Sequence, residues 1–184
     1  QEPSRGTTLE AVRIAKEAGA LISYDPNYRA SLWVDTETAV AQMKAAIPLA
    51  DVMKVSDEES LLLTGAGDYD EAADRQLESG LKLVAITLGS KGVLIATPES
   101  RQTVGGFAVD AVDTTGAGDS FWGGFLSCYL GLEKEITELT GEEMCRCAIT
   151  GNAVAGLCVQ KRGGIPAIPT QEAIEEFIRE RTDR

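Results

Sequence analysis

DTTGAGDSF, residues 113–121, sets two threonines and two glycines ahead of an aspartate, directly before the apolar run WGGFL. Gly116 and Gly118 permit backbone angles and close approaches that a side chain would block. A helix starting near Ala117 would turn its first unpaired N–H groups outward. That combination describes an anion site. The helix dipole adds only about 0.3–1 kcal/mol, whereas each amide aimed at developing charge in a dry site is worth about 3 kcal/mol. Asp119 falls in the first turn of the helix, where a carboxylate either takes part in chemistry or simply favours the helix start. Two familiar phosphate motifs are excluded. A P-loop needs GxxxxGK[ST] and a dinucleotide fingerprint needs GxGxxG, but the next glycine after Gly118 is Gly123. A second Gly-x-Gly, in GAGDYD (65–70), follows a helical pattern and reads as a C-cap and turn.

Upstream, the pattern alternates. Thr7 or Thr8 is placed to cap a helix running to Ala18 and stopped by Gly19, and ALISYD (20–25) reads as a buried strand. A helix over 37–46, the strand DVMKV, a short helix ending at Gly65 and a helix over 69–79 follow. KLVAITL and VLIAT then read as apolar strands, and FAVDAV (107–112) as another. The remainder reads as helices over 117–131, 141–160 and 170–181. Continuous Val, Ile and Leu runs between amphipathic helices indicate an α/β domain, a mostly parallel sheet covered on both faces. Ligands of such sheets gather beyond the carboxyl ends of the strands. DPNYR, TLGSKG and DTTGAGD all fall at predicted strand ends.

The 184 residues carry a formal charge of −12 and no histidine. The acidity argues against nucleic acid as a partner. The missing histidine removes Ser-His-Asp and Cys-His nucleophile schemes, leaving carboxylates, lysine, tyrosine or cysteine for proton transfer. Cys128, Cys145, Cys147 and Cys158 lie in helical segments without a CxxC pair and read as reduced core thiols. With no long apolar run and no basic-then-apolar leader, neither a membrane span nor export is indicated, and a cytoplasmic location is expected.

DTTGAGDSF with its apolar helix closely resembles the second signature of the ribokinase-like (PfkB) family of carbohydrate kinases. VSDEESLLLTG (55–65), ITLGSKGV (86–93) and KRGGIPAIP (161–169) fall in that family's order and approximate spacing. DPNYRASLW and KVSDEE are most similar to fructokinases. The resemblance implies the three-layer ribokinase-like fold, with residues 1–184 forming the C-terminal nucleotide-binding and catalytic part of one domain. The opening strands, sugar-binding residues and lid sheet would be absent, so the isolated chain is expected to lack sugar kinase activity. It further implies ATP, magnesium and a small-molecule sugar as ligands, with a monovalent cation, potassium, beside the anion hole and a homodimer as an option.

By the same resemblance, Asp119 takes the proton of the sugar hydroxyl, and Gly116, Ala117 and Gly118 hold the transferring phosphoryl group. Thr87 and Gly89 contact nucleotide phosphates or ribose, and Asn152 lies near the adenine pocket, although a satisfied polar helix residue is an equal alternative. Lys91 meets phosphate or is a solvated turn lysine. Asp113, Thr115 and Gly163 surround the cation, with Ala167 offering only backbone. Glu59 stands where the family's N-x-x-E motif serves the magnesium shell, but Ser56-Asp57-Glu58-Glu59 is also a capping box. Asp25, Asn27 and Arg29 form a phosphate clamp or a plain turn, and Trp33 reads as packing before sugar stacking. Fructose leads as substrate, with ribose, 2-keto-3-deoxygluconate and nucleosides open. A nucleotide-binding regulatory protein and an interaction module are the non-enzymatic alternatives.

Overall fold

The structure, a computed structural model, describes residues 2–182. Five strands form one sheet in the order β1 (Ser23–Tyr24), β2 (Val52–Ser56), β3 (Leu83–Thr87), β4 (Val93–Ala96) and β5 (Arg101–Val104). β1, β2 and β3 pair in parallel, while β4 is antiparallel to both β3 and β5. Four strands therefore point one way and β4 alone is reversed. The helices are α1 (Ser4–Glu17), α2 (Thr36–Ala46), α3 (Asp57–Thr64), α4 (Tyr69–Leu77), α5 (Ala117–Leu130), α6 (Gly141–Cys158) and α7 (Gln171–Thr182).

Alternation along each strand divides the core into two layers. Met53, Val55, Val84 and Ile86 face α2, α3 and α4 through Ala39, Met43, Leu63 and Ala72. Val52, Leu83, Ala85 and Ile95 face α5 and α6 through Phe121, Phe125, Met144 and Cys147. Both faces are covered, which explains the near-continuous apolar strands and gives the expected helix–sheet–helix architecture. A smaller cluster joins α6 to α7, where Phe107 meets Phe177 edge-on at 5.0 Å. No helix among the described residues is long and apolar enough to cross a membrane.

Three sequence expectations fail. Thr7 and Thr8 do not cap α1, which starts at Ser4; their hydroxyls donate to Pro3 and Ser4 carbonyls one turn back, at 3.1 and 2.9 Å. ALISYD contributes only the two residues of β1. FAVDAV is not a strand. Its Phe107 and Val109 leave the sheet to pack against the α6–α7 cluster, and the amides of Val112 and Asp113 both donate to the Val159 carbonyl. The ladder is completed instead by β5, whose polar RQTV sequence hides it from a search for apolar runs.

The expected caps elsewhere form. Ser56 and Glu59 exchange the two bonds of a capping box at α3, and Gly65 ends that helix in the left-handed region at φ 68°. α5 and α6 cross at glycines. A Cβ at Gly151 would lie 2.7 Å from the Phe121 carbonyl oxygen, and one at Gly124 would lie 2.7 Å from Val154. At Gly123, the preceding residue of α5, a Cβ would meet no atom within 4 Å. Gly151→Ala is therefore expected to destabilise the protein by about 1–3 kcal/mol through overpacking, whereas Gly123→Ala is neutral or stabilising by up to about 1 kcal/mol. Chemical denaturation of the two variants checks the contrast.

Candidate active site

The carboxyl ends of β1, β2 and β3 and the start of α5 enclose a cavity of about 600 Å³. Asn27 and Arg29 enter from the loop after β1, Ser56 to Glu59 from the end of β2, Thr87 and Gly89 from the end of β3, and Gly116 to Asp119 from the glycine turn. The stretches singled out at strand ends thus converge on one edge of the sheet.

The glycine turn is built as its sequence demands. Gly116 adopts φ 76°, a conformation costly for any side chain, and begins α5 without a side-chain cap. The Ala117 amide donates to the Thr114 carbonyl at 3.1 Å and the Ser120 amide to the Gly116 carbonyl at 2.8 Å. Ala117 borders the cavity while its N–H closes the turn, and the amides of Gly116, Gly118 and Asp119 have no such backbone partner. The Asp119 side chain is exposed and borders two cavities, this one and a more apolar one of about 1100 Å³ on the α7 side. A carboxylate shared by two openings can meet two ligands at once.

Asp113 secures the turn from behind. Its two carboxylate oxygens each accept one backbone amide, from Thr115 and from Gly163, both at 2.9 Å. These bonds, with the Gly163 amide foremost, hold its carboxyl down at about 2 from the ordinary 3.8. The three residues expected around a monovalent cation are thus brought together. Their oxygens, one carboxylate, the Thr115 hydroxyl and backbone carbonyls, are of the kind a hard cation takes, while the bonds that join the three residues are made by backbone amides. Gly163 itself sits at φ 81°.

Glu59 is buried, with one carboxylate oxygen accepting the Ser56 amide at 2.8 Å and the other the Tyr28 amide at 2.6 Å. It caps α3 and fixes the β1 loop while bordering the cavity. Asn27 takes φ 47° and donates its amide to Asp25 at 3.0 Å, so DPNYR is a turn that also carries Arg29 to the cavity wall. Trp33 packs against the helical core, as read. Burial pushes the Tyr24 phenol up to about 12, aided by the charges of Asp25 and Glu59, so it stays neutral beside the site.

Two residues expected at the nucleotide lie outside this cavity. Asn152 is buried on α6 and donates its amide to the Gly105 carbonyl at 3.0 Å, holding the chain that leaves β5; it borders none of the described cavities. Lys91 is exposed at the far side of the Gly89–Lys91 turn and borders none either. Thr87 reaches the cavity and also ties β3 to β2, its hydroxyl donating to the Val55 carbonyl at 3.2 Å. One residue escaped the sequence reading. Lys54, in the middle of β2, is only 6% exposed, pairs with Asp25 at 2.9 Å and borders the cavity. Its signal was a lone lysine inside an apolar strand.

Such a cavity, with a bare glycine turn at a helix start and an exposed carboxylate at the carboxyl edge of a covered sheet, offers amide donors for an anion and a carboxylate beside them. Residues 1–171 match the pfkB family carbohydrate kinases, and the chain belongs to that family. Among curated relatives, fructokinase-2 of Solanum lycopersicum is 43% identical over 171 residues, covering 92% of this chain and 51% of the relative. A double-mutant fructokinase from Vibrio cholerae O395, solved with fructose, ADP and potassium, superposes with a TM-score of 0.88 at 36% identity, covering 97% of this chain and 56% of that one. Aminoimidazole riboside kinase from Salmonella enterica, solved with aminoimidazole riboside and an ATP analog, gives 0.83 at 30% identity, covering 97% and 59%. The chain spans about half the length of the relatives it matches.

The Asp113 clasp has a pH signature. Because its folded value lies below the ordinary one, its stabilisation is complete above about pH 4 and is lost as pH falls towards 2. Asp113→Asn should flatten the acid limb of the stability curve in that window and leave neutral-pH curvature unchanged. Thermal melts between pH 2 and 5 measure it.

Proposed function

We propose that this chain is the nucleotide-binding and catalytic part of an ATP-dependent sugar kinase that phosphorylates a primary hydroxyl of fructose. The observation that carries the reading is the placement of Asp119, an exposed carboxylate one turn from the bare amides of Gly116 and Gly118 and open to two cavities. The terminal phosphoryl group of ATP lies over the turn, the sugar enters from the other opening, and Asp119 accepts the hydroxyl proton as the new oxygen–phosphorus bond forms. Orientation and charge stabilisation supply most of the barrier reduction in such a loose transition state, and base assistance adds about 100- to 10,000-fold. Thr87 and Gly89 contact the nucleotide. The likeness to fructokinases at about 40% identity supports fructose over ribose, 2-keto-3-deoxygluconate and nucleosides.

Magnesium bound to the nucleotide would be met by the acidic wall of Asp57, Glu58 and Glu59. Both oxygens of Glu59 already accept amides, so its contact would run through water. The metal's contribution is to neutralise phosphate charge. Potassium would sit among Asp113 and the carbonyls of Thr115 and Gly163.

A coupled assay with ATP and fructose, ribose or ketodeoxygluconate, run on the protein extended to the length of its relatives, tests the reading. Fructose turnover is expected, with the 184-residue chain alone inactive. Asp119→Asn should keep nucleotide affinity and lose at least about 100-fold in kcat. Turnover close to wild type would remove Asp119 from the chemistry, and tight ATP binding without turnover on any sugar would favour a regulatory protein. Replacing potassium by tetramethylammonium should lower activity; equal rates would remove the cation.

A further inference from the structure

We propose that Lys54, held in place by Asp25, is the fixed positive charge that receives the outer phosphates of the nucleotide from beneath the glycine turn. This rests on the kinase reading above and adds to it a phosphate-contacting residue and a positioning residue.

Four observations converge on the pair. Lys54 is nearly buried in a chain of formal charge −12, and it shares the cavity wall with only one other cation, Arg29. Strand alternation sets it on the α5 side of β2, in line with Val52, which packs under α5. A Cβ built on Gly118 would lie 2.7 Å from its nitrogen, so the ammonium stands directly against the first turn of α5. Asp25 takes one of its three N–H donors at 2.9 Å, leaving two for a ligand.

Stability does not account for this arrangement. A buried ion pair is typically no better for folding than apolar residues of similar volume. The cavity wall meanwhile carries Asp57, Glu58, Glu59 and Asp119, carboxylates that would repel a polyphosphate. An ammonium at the floor offsets them at the point where the amides converge. During transfer the sugar oxygen bonds to phosphorus as the bond to the bridging oxygen of ADP breaks. The hydroxyl proton goes to Asp119, and Lys54 keeps all of its own. Asp25 acts through Lys54, fixing where the charge sits.

The test is nucleotide binding, independent of turnover. Isothermal titration of the protein extended to the length of its relatives with ATP, ADP and AMP is compared with that of its Lys54→Met, Asp25→Asn and double variants. Lys54→Met is expected to weaken ATP by at least about tenfold while changing AMP little, because a lost charge-assisted bond to phosphate acts only where outer phosphates are present. Asp25→Asn should lower the ATP-to-AMP ratio in the same direction, and adding it to Lys54→Met should cost nothing more. The double variant buries no unpaired charge and remains foldable if either single variant does not. Variants that keep the wild-type ATP-to-AMP ratio, or lose all three ligands equally, would overturn the role of Lys54. A wild-type chain that binds no nucleotide would overturn the kinase reading and this inference together.

Discussion

The glycine turn lies hard against its surroundings at residues 116 and 118. A methyl group at residue 118 would lie 2.7 Å from the Lys54 nitrogen, and one at residue 116 would lie 3.2 Å from the Gly164 backbone in a conformation already at φ 76°. The start of α5 therefore lies between the Lys54 side chain, reaching up from β2, and the 163–164 turn. Everything at the site depends on this contact. It lowers the bare amides onto the sheet edge, brings Asp119 to the rim and places a buried ammonium under both. The Asp113 carboxylate keeps the turn there by tying Thr115 to Gly163.

Close approach at the turn requires close approach along the whole of α5. The helix can sit low only because Gly124 and Gly151 let α6 come in beside it and because Trp122 and Phe125, stacked at 5.1 Å, fill the space over the sheet. Trp122 reaches the edge strand as well, its indole N–H donating to the Ser23 hydroxyl at 2.7 Å. The packing that stabilises the fold is thus continuous with the packing that sets the site, and a disturbance between α5 and α6 would be felt at Asp119.

How much of this was legible depended on whether a residue's role was local. The glycine turn, the Ser56–Glu59 box, the Gly65 cap and the DPNYR turn are decided by neighbours within four positions, and each was readable. The last three helices were equally clear, since long apolar periodicity survives any tertiary context. Roles set by distant partners were not. Lys54 acquires meaning only when Asp25 and Gly118 arrive from 29 residues upstream and from the start of α5. The partner of Asn152 is equally hidden, because nothing in TGNAVAGL announces that the Gly105 carbonyl lies opposite. FAVDAV alternates like a strand but spends its apolar side chains on α6 and α7. Its neighbour β5 is polar because one of its ladder partners is missing: it lies at the sheet edge, paired only with β4.

The single reversed strand decides where the site can form. β3 ends at the ligand edge, and the tight turn through Gly92, at φ 101°, sends β4 back across the sheet. β5 then returns in the direction of β1 to β3 and delivers the chain to the ligand edge a second time. A Cβ at Gly106 would lie 2.5 Å from the Ser90 carbonyl oxygen, so the exit of β5 is pressed against the β3–β4 turn at that edge. From there residues 107–112 need only pass over α6, anchored by Phe107 on Phe177 and by two amides on Val159, to set DTTGAGD beside the ends of β1, β2 and β3. Without β5 the chain would have left β4 at the opposite edge. The glycine turn would then have had to cross the sheet to reach Lys54. The polar strand that is hardest to see in the sequence is the one that brings the anion site home.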